Sequence, residues 1–298
     1  MTITSNNTTM SGLIEVIQTV DPLLKYSWFP KSQNYYLLHL HEIIYSFIFY
    51  QLVSTYLAPL VNKIVFGDRY IKIADQELKI DFDIHIVSMV QACVSLYILW
   101  PVLTLPLTSY NIATYQNDYC SMVTSLSAGY FIWDLIVCLR YFKVYGFQYL
   151  IHAIFALAAS LVPLLPVCQV WVPKFLLYEA STPFVNVNWF IMQMLAPSKK
   201  SNLKPAKVPT WLNLINGVLL MIIFFSVRIL WGNLAQFVYF YQMYKYRSDM
   251  TTLKVQLAVI LAIITLILNS LNVFWFSKMV KIAKKLANSS NDKDRKRE

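Results

Sequence analysis

Residues 211–243 form an apolar run of 33 residues broken by one full charge, Arg228. About 20 such residues suffice to cross a bilayer as a helix, so this run is expected to span with tilt, or to break near Gly232. Six shorter apolar runs accompany it, at 37–66, 85–107, 122–142, 147–161, 167–195 and 253–276. No soluble core absorbs that much apolar helix. The composition agrees: 57% of the 298 residues are hydrophobic and 13% charged, against roughly 45–50% and about 25% in soluble domains. The expected fold is all-α, a polytopic membrane protein of about seven transmembrane helices. Pro101 is expected to kink the second span, Pro163 and Pro166 to turn the chain after the fourth, and Pro173 and Pro183 to break the fifth. Residues 67–83 read as a charged loop.

The net charge of +10 is concentrated. Lys199, Lys200, Lys204 and Lys207 stand in a loop without an acid, and the tail from Ser277 carries eight basic residues against three acidic ones. With seven spans, 18 of the 25 Lys and Arg fall on one side and 6 on the other, leaving Arg228 in the membrane. The positive-inside rule then makes the C-terminus cytosolic and the N-terminus lumenal. Residues 1–36 are a lumenal polar N-terminus on this reading, 37–66 a first transmembrane anchor, and 286–298 a basic cytosolic tail expected to be disordered. The sequons at Asn6 and Asn7 become usable, while the Asn288 triplet does not. The terminal Arg295-Lys296-Arg297 is loosely like a dibasic retrieval signal. Membrane lipid is the expected partner. Nothing points to nucleic acid, and a homodimer stays open.

The four cysteines, Cys93, Cys120, Cys138 and Cys168, show no CxxC or Cys/His spacing, so no metal site is expected. His39 and His41, two residues apart, do not share a helix face. With Glu42 they read as interfacial polar residues.

Polar groups inside the apolar runs carry the functional reading, because an ionisable side chain there faces a partner or a polar cavity. Residues 145–195 hold His152, Lys174 and Glu179, with Ser181-Thr182-Pro183 just after the acid. They are read as lining an intramembrane chamber. Glu179 and Arg228 lie at roughly 24 and 26 Å from the basic side at the helical rise, and are expected to pair. Asp134 and His152 share a shallower depth of roughly 9–12 Å and are expected to share a pocket. Trp133, Trp189 and Trp275 read as packing or interfacial groups.

Four pieces resemble the TLC-domain family, over roughly residues 81–285. They are SAGYFIWDL at 127–135, YLIHA at 149–153, LLYEASTPFVNVNWF at 176–190, and FFSVRI with LNVFWFSKMVKIAKK at 224–229 and 271–285. The resemblance is strongest to the TLCD-type branch and distant to the ceramide synthases. It implies a six-helix barrel around a lipid-accessible chamber, built from the second to seventh spans, and residence in the endoplasmic reticulum membrane. Ceramide synthases carry two adjacent histidines and two aspartates in the chamber. The histidines fall on His152 and Ala153, the aspartates on Glu179 and Thr182, and a histidine of other family enzymes falls on Asn272. The paired constellation is thus missing, and a single chamber histidine is expected. The implied role is lipid binding or sensing that contributes to membrane lipid homeostasis, without catalysis or cofactor. Asp134, His152, Glu179, Ser181, Thr182, Arg228 and Asn272 would line the chamber. The alternative is an acyltransferase of the ceramide synthase kind, in sphingolipid synthesis. It would use acyl-CoA as co-substrate, with His152 and Glu179 as its catalytic residues.

Overall fold

The computed structural model describes residues 20–108, 110–165, 167–195 and 205–295, and side chains as far as residue 285. The sequons at Asn6 and Asn7, the loop lysines 199, 200 and 204, Pro166, the last three residues and the side chains of the Asn288 triplet lie outside that description. The described chain is helical, without a strand. Among the described residues, six helices are long and apolar enough to cross a membrane: α1 (Leu40–Phe66), α2 (Gln76–Leu103), α3 (Asp118–Arg140), α4 (Phe142–Leu161), α6 (Thr210–Lys245) and α7 (Thr252–Arg295).

The segment expected as a fifth span is not one helix. It is a short turn of helix (Trp171–Phe175), a 3₁₀ stretch (Leu176–Ser181) and then α5 (Thr182–Leu195). Each proline sits in the first turn of its helical piece, where its missing N–H has no intrahelical partner to lose. Among the described residues the candidate spans are therefore six, and the expected fifth span is made of pieces broken about its two prolines.

Two boundaries differ from the sequence reading. The expected loop 67–83 is helical from Gln76, because the Asp75 carboxylate accepts from the amides of Glu77 and Leu78 and caps α2. Asp83 consequently lies on α2, where Asn62 and the Tyr70 hydroxyl donate to it at 2.8 Å. At the other end, α7 continues to Arg295, so the expected disordered tail is largely helix. Pro101 falls in the last turn of α2.

The packing order closes a ring. Proceeding α2, α3, α4, α7, α6, α5, each helix lies against the next, and α5 returns to α2. This is the six-membered barrel, with α1 outside it on α2 and α3. Side-chain bonds pin the neighbours. The Asn216 amide donates to the Phe184 carbonyl between α6 and α5, and the Tyr119 hydroxyl to that of Ile98 between α3 and α2.

The first helix is more than a loose anchor. A Cβ on Gly129 of α3 would press on the Ile43 carbonyl oxygen and lie 2.6 Å from Ser46 Cβ. The two backbones thus meet at a glycine, as small residues permit in membranes, and Ser46 donates to the Leu126 carbonyl at 2.6 Å. Gly129→Ala is expected to destabilise the chain by about 1–3 kcal/mol through overpacking, read as a lower melting midpoint in detergent. Gly217→Ala, where a Cβ meets nothing within 4 Å, should leave that midpoint unchanged or raise it.

Candidate functional site

The ring encloses a cavity of about 360 Å³, within the range of small-ligand pockets. Every barrel element contributes to its wall. Polar side chains are His85 and Ser88 from α2, Asp134 from α3, Tyr145, Tyr149 and His152 from α4, Glu179 from the 3₁₀ stretch, Thr182 and Asn186 from α5, and Arg228 from α6. Apolar wall comes from residues such as Ile84, Phe131, Val137, Phe224 and Met279. A smaller void of about 70 Å³ shares Phe131, His152, Glu179 and Arg228 with it. The cavity reaches the surface beside Lys278 and Ile282, both exposed.

Irregular backbone puts the key groups there. Arg228 sits in a π-helical stretch, Phe225–Leu230, within α6. A π turn admits an extra residue and redirects its side chains, often at functional sites. The expected break at Gly232 is therefore absent, and the irregularity lies just before it. Gly232 instead allows close approach, since a Cβ there would be 2.7 Å from Tyr178 Oη.

Arg228 does not pair with Glu179. Its Nε donates to Ser181 Oγ at 2.7 Å, Nη1 to Asn272 Oδ1 at 3.2 Å and Nη2 to Thr182 Oγ1 at 3.2 Å. Among the described residues no ion pair or hydrogen bond holds the Glu179 carboxylate. Equal depth brought the two into one cavity, but the guanidinium's planar fork found three neutral oxygens in hydrogen-bonding reach. Ser181 and Asn272 thus sit behind Arg228 as its holders. The guanidinium also lies over the Phe224 and Tyr178 rings, 5.2 and 5.9 Å from their centroids.

Asp134 and His152 both face the cavity, and neither makes a side-chain hydrogen bond among the described residues. The His152 ring lies 5.6 Å from that of Trp275, so Trp275, expected as a packing group, is also a wall of the site. Trp133 is buried, donating to Gln51 Oε1 at 3.2 Å. Lys174 is not in the chamber. Its Nζ donates to the Leu105 carbonyl at 2.7 Å, beyond the end of α2, where helix carbonyls lack partners.

A second histidine does line the chamber, contrary to the sequence expectation. His85 Nδ1 is 2.8 Å from Asn186 Oδ1, its ring stacks on Trp189 at 3.9 Å, and Nε2 is 3.7 Å from Asp81 Oδ1. Tyr145 donates to the same Asp81 oxygen at 2.8 Å. The apolar run read from 85 includes His85 as its first residue but leaves its partner Asp81 in the expected loop. The signal was there in Asp81 and His85 at i and i+4, which share a helix face.

A barrel of membrane helices around a polar-floored chamber defines the class. Comparison with known proteins narrows it. The TLC domain profile matches residues 81–281, and the chain belongs to the TLC-domain family. It is 51% identical over 283 residues to topoisomerase I damage affected protein 4 of Saccharomyces cerevisiae, covering 95% of this chain and 96% of that one. It is 29% identical over 253 residues to an uncharacterised TLC domain-containing protein of Schizosaccharomyces pombe, covering 84% and 80%. Human TLC domain-containing protein 4 is 30% identical over 162 residues, covering 54% and 56%. No solved structure matches.

The anchored guanidinium and the unheld carboxylate should respond differently to mutation. Asn272→Leu removes an acceptor from a charged donor and is expected to cost about 1.5–3 kcal/mol. Glu179→Gln removes an unheld charge and, among the described residues, no hydrogen bond, and should leave stability unchanged or raise it. Thermal melting of both variants in detergent checks the pair.

Proposed function

We propose that the chamber binds a membrane lipid, head group inward, and that the protein contributes to lipid homeostasis through that binding. One observation carries this reading. Asp134, His152 and Glu179 face one cavity without a hydrogen bond among the described residues, beside a guanidinium held by Ser181, Thr182 and Asn272. Ionisable groups in a membrane interior are costly unless something solvates them, and a ligand head group does so. Two carboxylates against one guanidinium favour a head that both donates and accepts, such as a zwitterion or a hydroxylated amine. The apolar wall takes the chain.

Mass spectrometry of lipids retained by the purified protein tests this directly. One lipid class should be enriched over bulk membrane, and Arg228→Gln should reduce its retention about tenfold or more, the loss of a charged hydrogen bond. Retention that mirrors bulk composition in both proteins would overturn the proposal.

A second reading is favoured by His85 and His152 sharing the chamber. Acyl transfer from acyl-CoA needs a base or nucleophile with a positioned proton partner. His152 with Glu179, or His85 with Asp81, would supply one. Supplying acyl-CoA and a long-chain base distinguishes the two: formation of the N-acylated base with an equal release of free CoA, both lost in His152→Ala, would establish the acyltransferase.

The endoplasmic reticulum is the membrane we assign, with the N-terminus lumenal and the C-terminus cytosolic. The asymmetry of Lys and Arg supports that orientation. In sealed microsomes, a tag after Glu298 should be digested by added protease, and a tag before Met1 protected.

A further inference from the structure

A second polar cluster lies away from the chamber, where the chain turns into α1. Asp21 comes from the N-terminal segment, His39 precedes α1 and Glu42 stands in its first turn. His39 Nδ1 is 3.0 Å from Glu42 Oε2 and 3.6 Å from Asp21 Oδ2, and the three side chains are wholly buried. One ligand-capable atom from each lies within 4.8 Å of the others.

This is not an ordinary satisfied core. Asp21 Oδ2 and Glu42 Oε1 are buried with no hydrogen-bond partner. Among the described residues, only the histidines His39 and His41 come within ion-pair distance of the two carboxylates, and no Lys or Arg does. Two adjacent carboxylates out of water with no cation cost several kcal/mol each. Either the pair keeps a proton or something positive sits between them.

We propose that Asp21, His39 and Glu42 bind a divalent transition ion of the zinc type, which staples the N-terminal segment onto α1. The donor set fits, since imidazole nitrogen and carboxylate oxygen are ordinary zinc ligands. Charge fits as well: two carboxylates and a neutral imidazole cancel a divalent ion. A tetrahedral ion with bonds of about 2.0–2.1 Å holds its ligand atoms about 3.4 Å apart. The observed separations from His39 Nδ1, 3.0 and 3.6 Å, bracket that value. In the bound form His39 keeps its proton on Nε2, and a water completes the set.

The backbone around Asp21 is already shaped for this. Its other oxygen, Oδ1, accepts from the amides of Leu23 at 2.7 Å and Leu24 at 3.1 Å. His41 Nε2 lies 3.0 Å from the Leu23 carbonyl oxygen. His41 is thus a positioning residue that fixes the turn bearing the ligand. The sequence pairing that matters is His39 with Glu42, three apart on one face, and not His39 with His41. Their third partner comes from 18 residues upstream of His39, a distance that no local motif spans.

The test uses the full chain, purified without a polyhistidine tag and equilibrated with zinc, then measured for bound metal. Wild type should hold about one ion per chain. Asp21→Asn and Glu42→Gln should hold less than about a tenth of that, and His41→Gln should weaken affinity by about tenfold. Asn at 21 retains Oδ1 as an acceptor for the turn, so loss of metal there is not loss of fold. A chelator should lower the melting temperature of wild type and leave that of Asp21→Asn unchanged. Should the variants not fold, cobalt titration of wild type decides: visible absorption saturating at one equivalent supports the site. Wild type that takes up neither zinc nor cobalt, or variants that bind as well as wild type, would overturn it and leave a proton shared by the carboxylates.

Discussion

A guanidinium inside the bilayer, with each of its three nitrogens bound to a neutral oxygen, is the constraint around which the barrel is arranged. Ser181 and Thr182 come from one side of the ring and Asn272 from the other, so Arg228 ties the broken crossing to α6 and α7 at once. In hydrocarbon these bonds replace water that the charge would otherwise require. Because none of the three holders is charged, the positive field of Arg228 is not cancelled where it is held. It projects into the chamber, toward Glu179.

That arrangement explains why regular helix is abandoned in two facing places. A 3₁₀ stretch carries Glu179 and Ser181, and a π stretch carries Arg228. Non-helical backbone in a membrane is tolerated where it is buried in protein or lines a cavity, and both stretches line this one. A straight α-helix repeats every 3.6 residues. It would not present Glu179 to open space while placing Ser181 and Thr182 behind the arginine. Uneven winding separates the residues that hold Arg228 from the residues that face the cavity.

Apolar run length was enough to read the barrel helices, because the bilayer imposes it. Depth arithmetic set Glu179 level with Arg228 and Asp134 level with His152, as two pairs at different heights, because helices convert sequence position into height; the structure lines one cavity with all four. What neither supplies is direction. Height alone suggested an ion pair between Glu179 and Arg228, yet rotation about two irregular helices decided which oxygen each nitrogen met. His85 escaped for a different reason: it opens the apolar run at 85, while its partner Asp81 lies outside that run, on helix that the Asp75 cap starts early. The convergence of Asp21 on His39 and Glu42 was illegible because it depends on how the N-terminal segment folds back, which no periodicity records.

The two polar clusters solve one problem in opposite ways. In the chamber, Glu179 and Asp134 keep their carboxylates against open space, so whatever enters supplies their partners, and exchange of that partner is built in. Beside α1, the carboxylates of Asp21 and Glu42 are closed off, and among the described residues the cationic side chains within ion-pair distance of them are histidines. The first geometry suits a ligand that is sampled from the surrounding membrane. The second suits a permanent fastening, and it lies on the helix that locks to α3 at Gly129. The fixed cluster thus braces the outer face of the wall whose inner face carries Asp134 into the chamber.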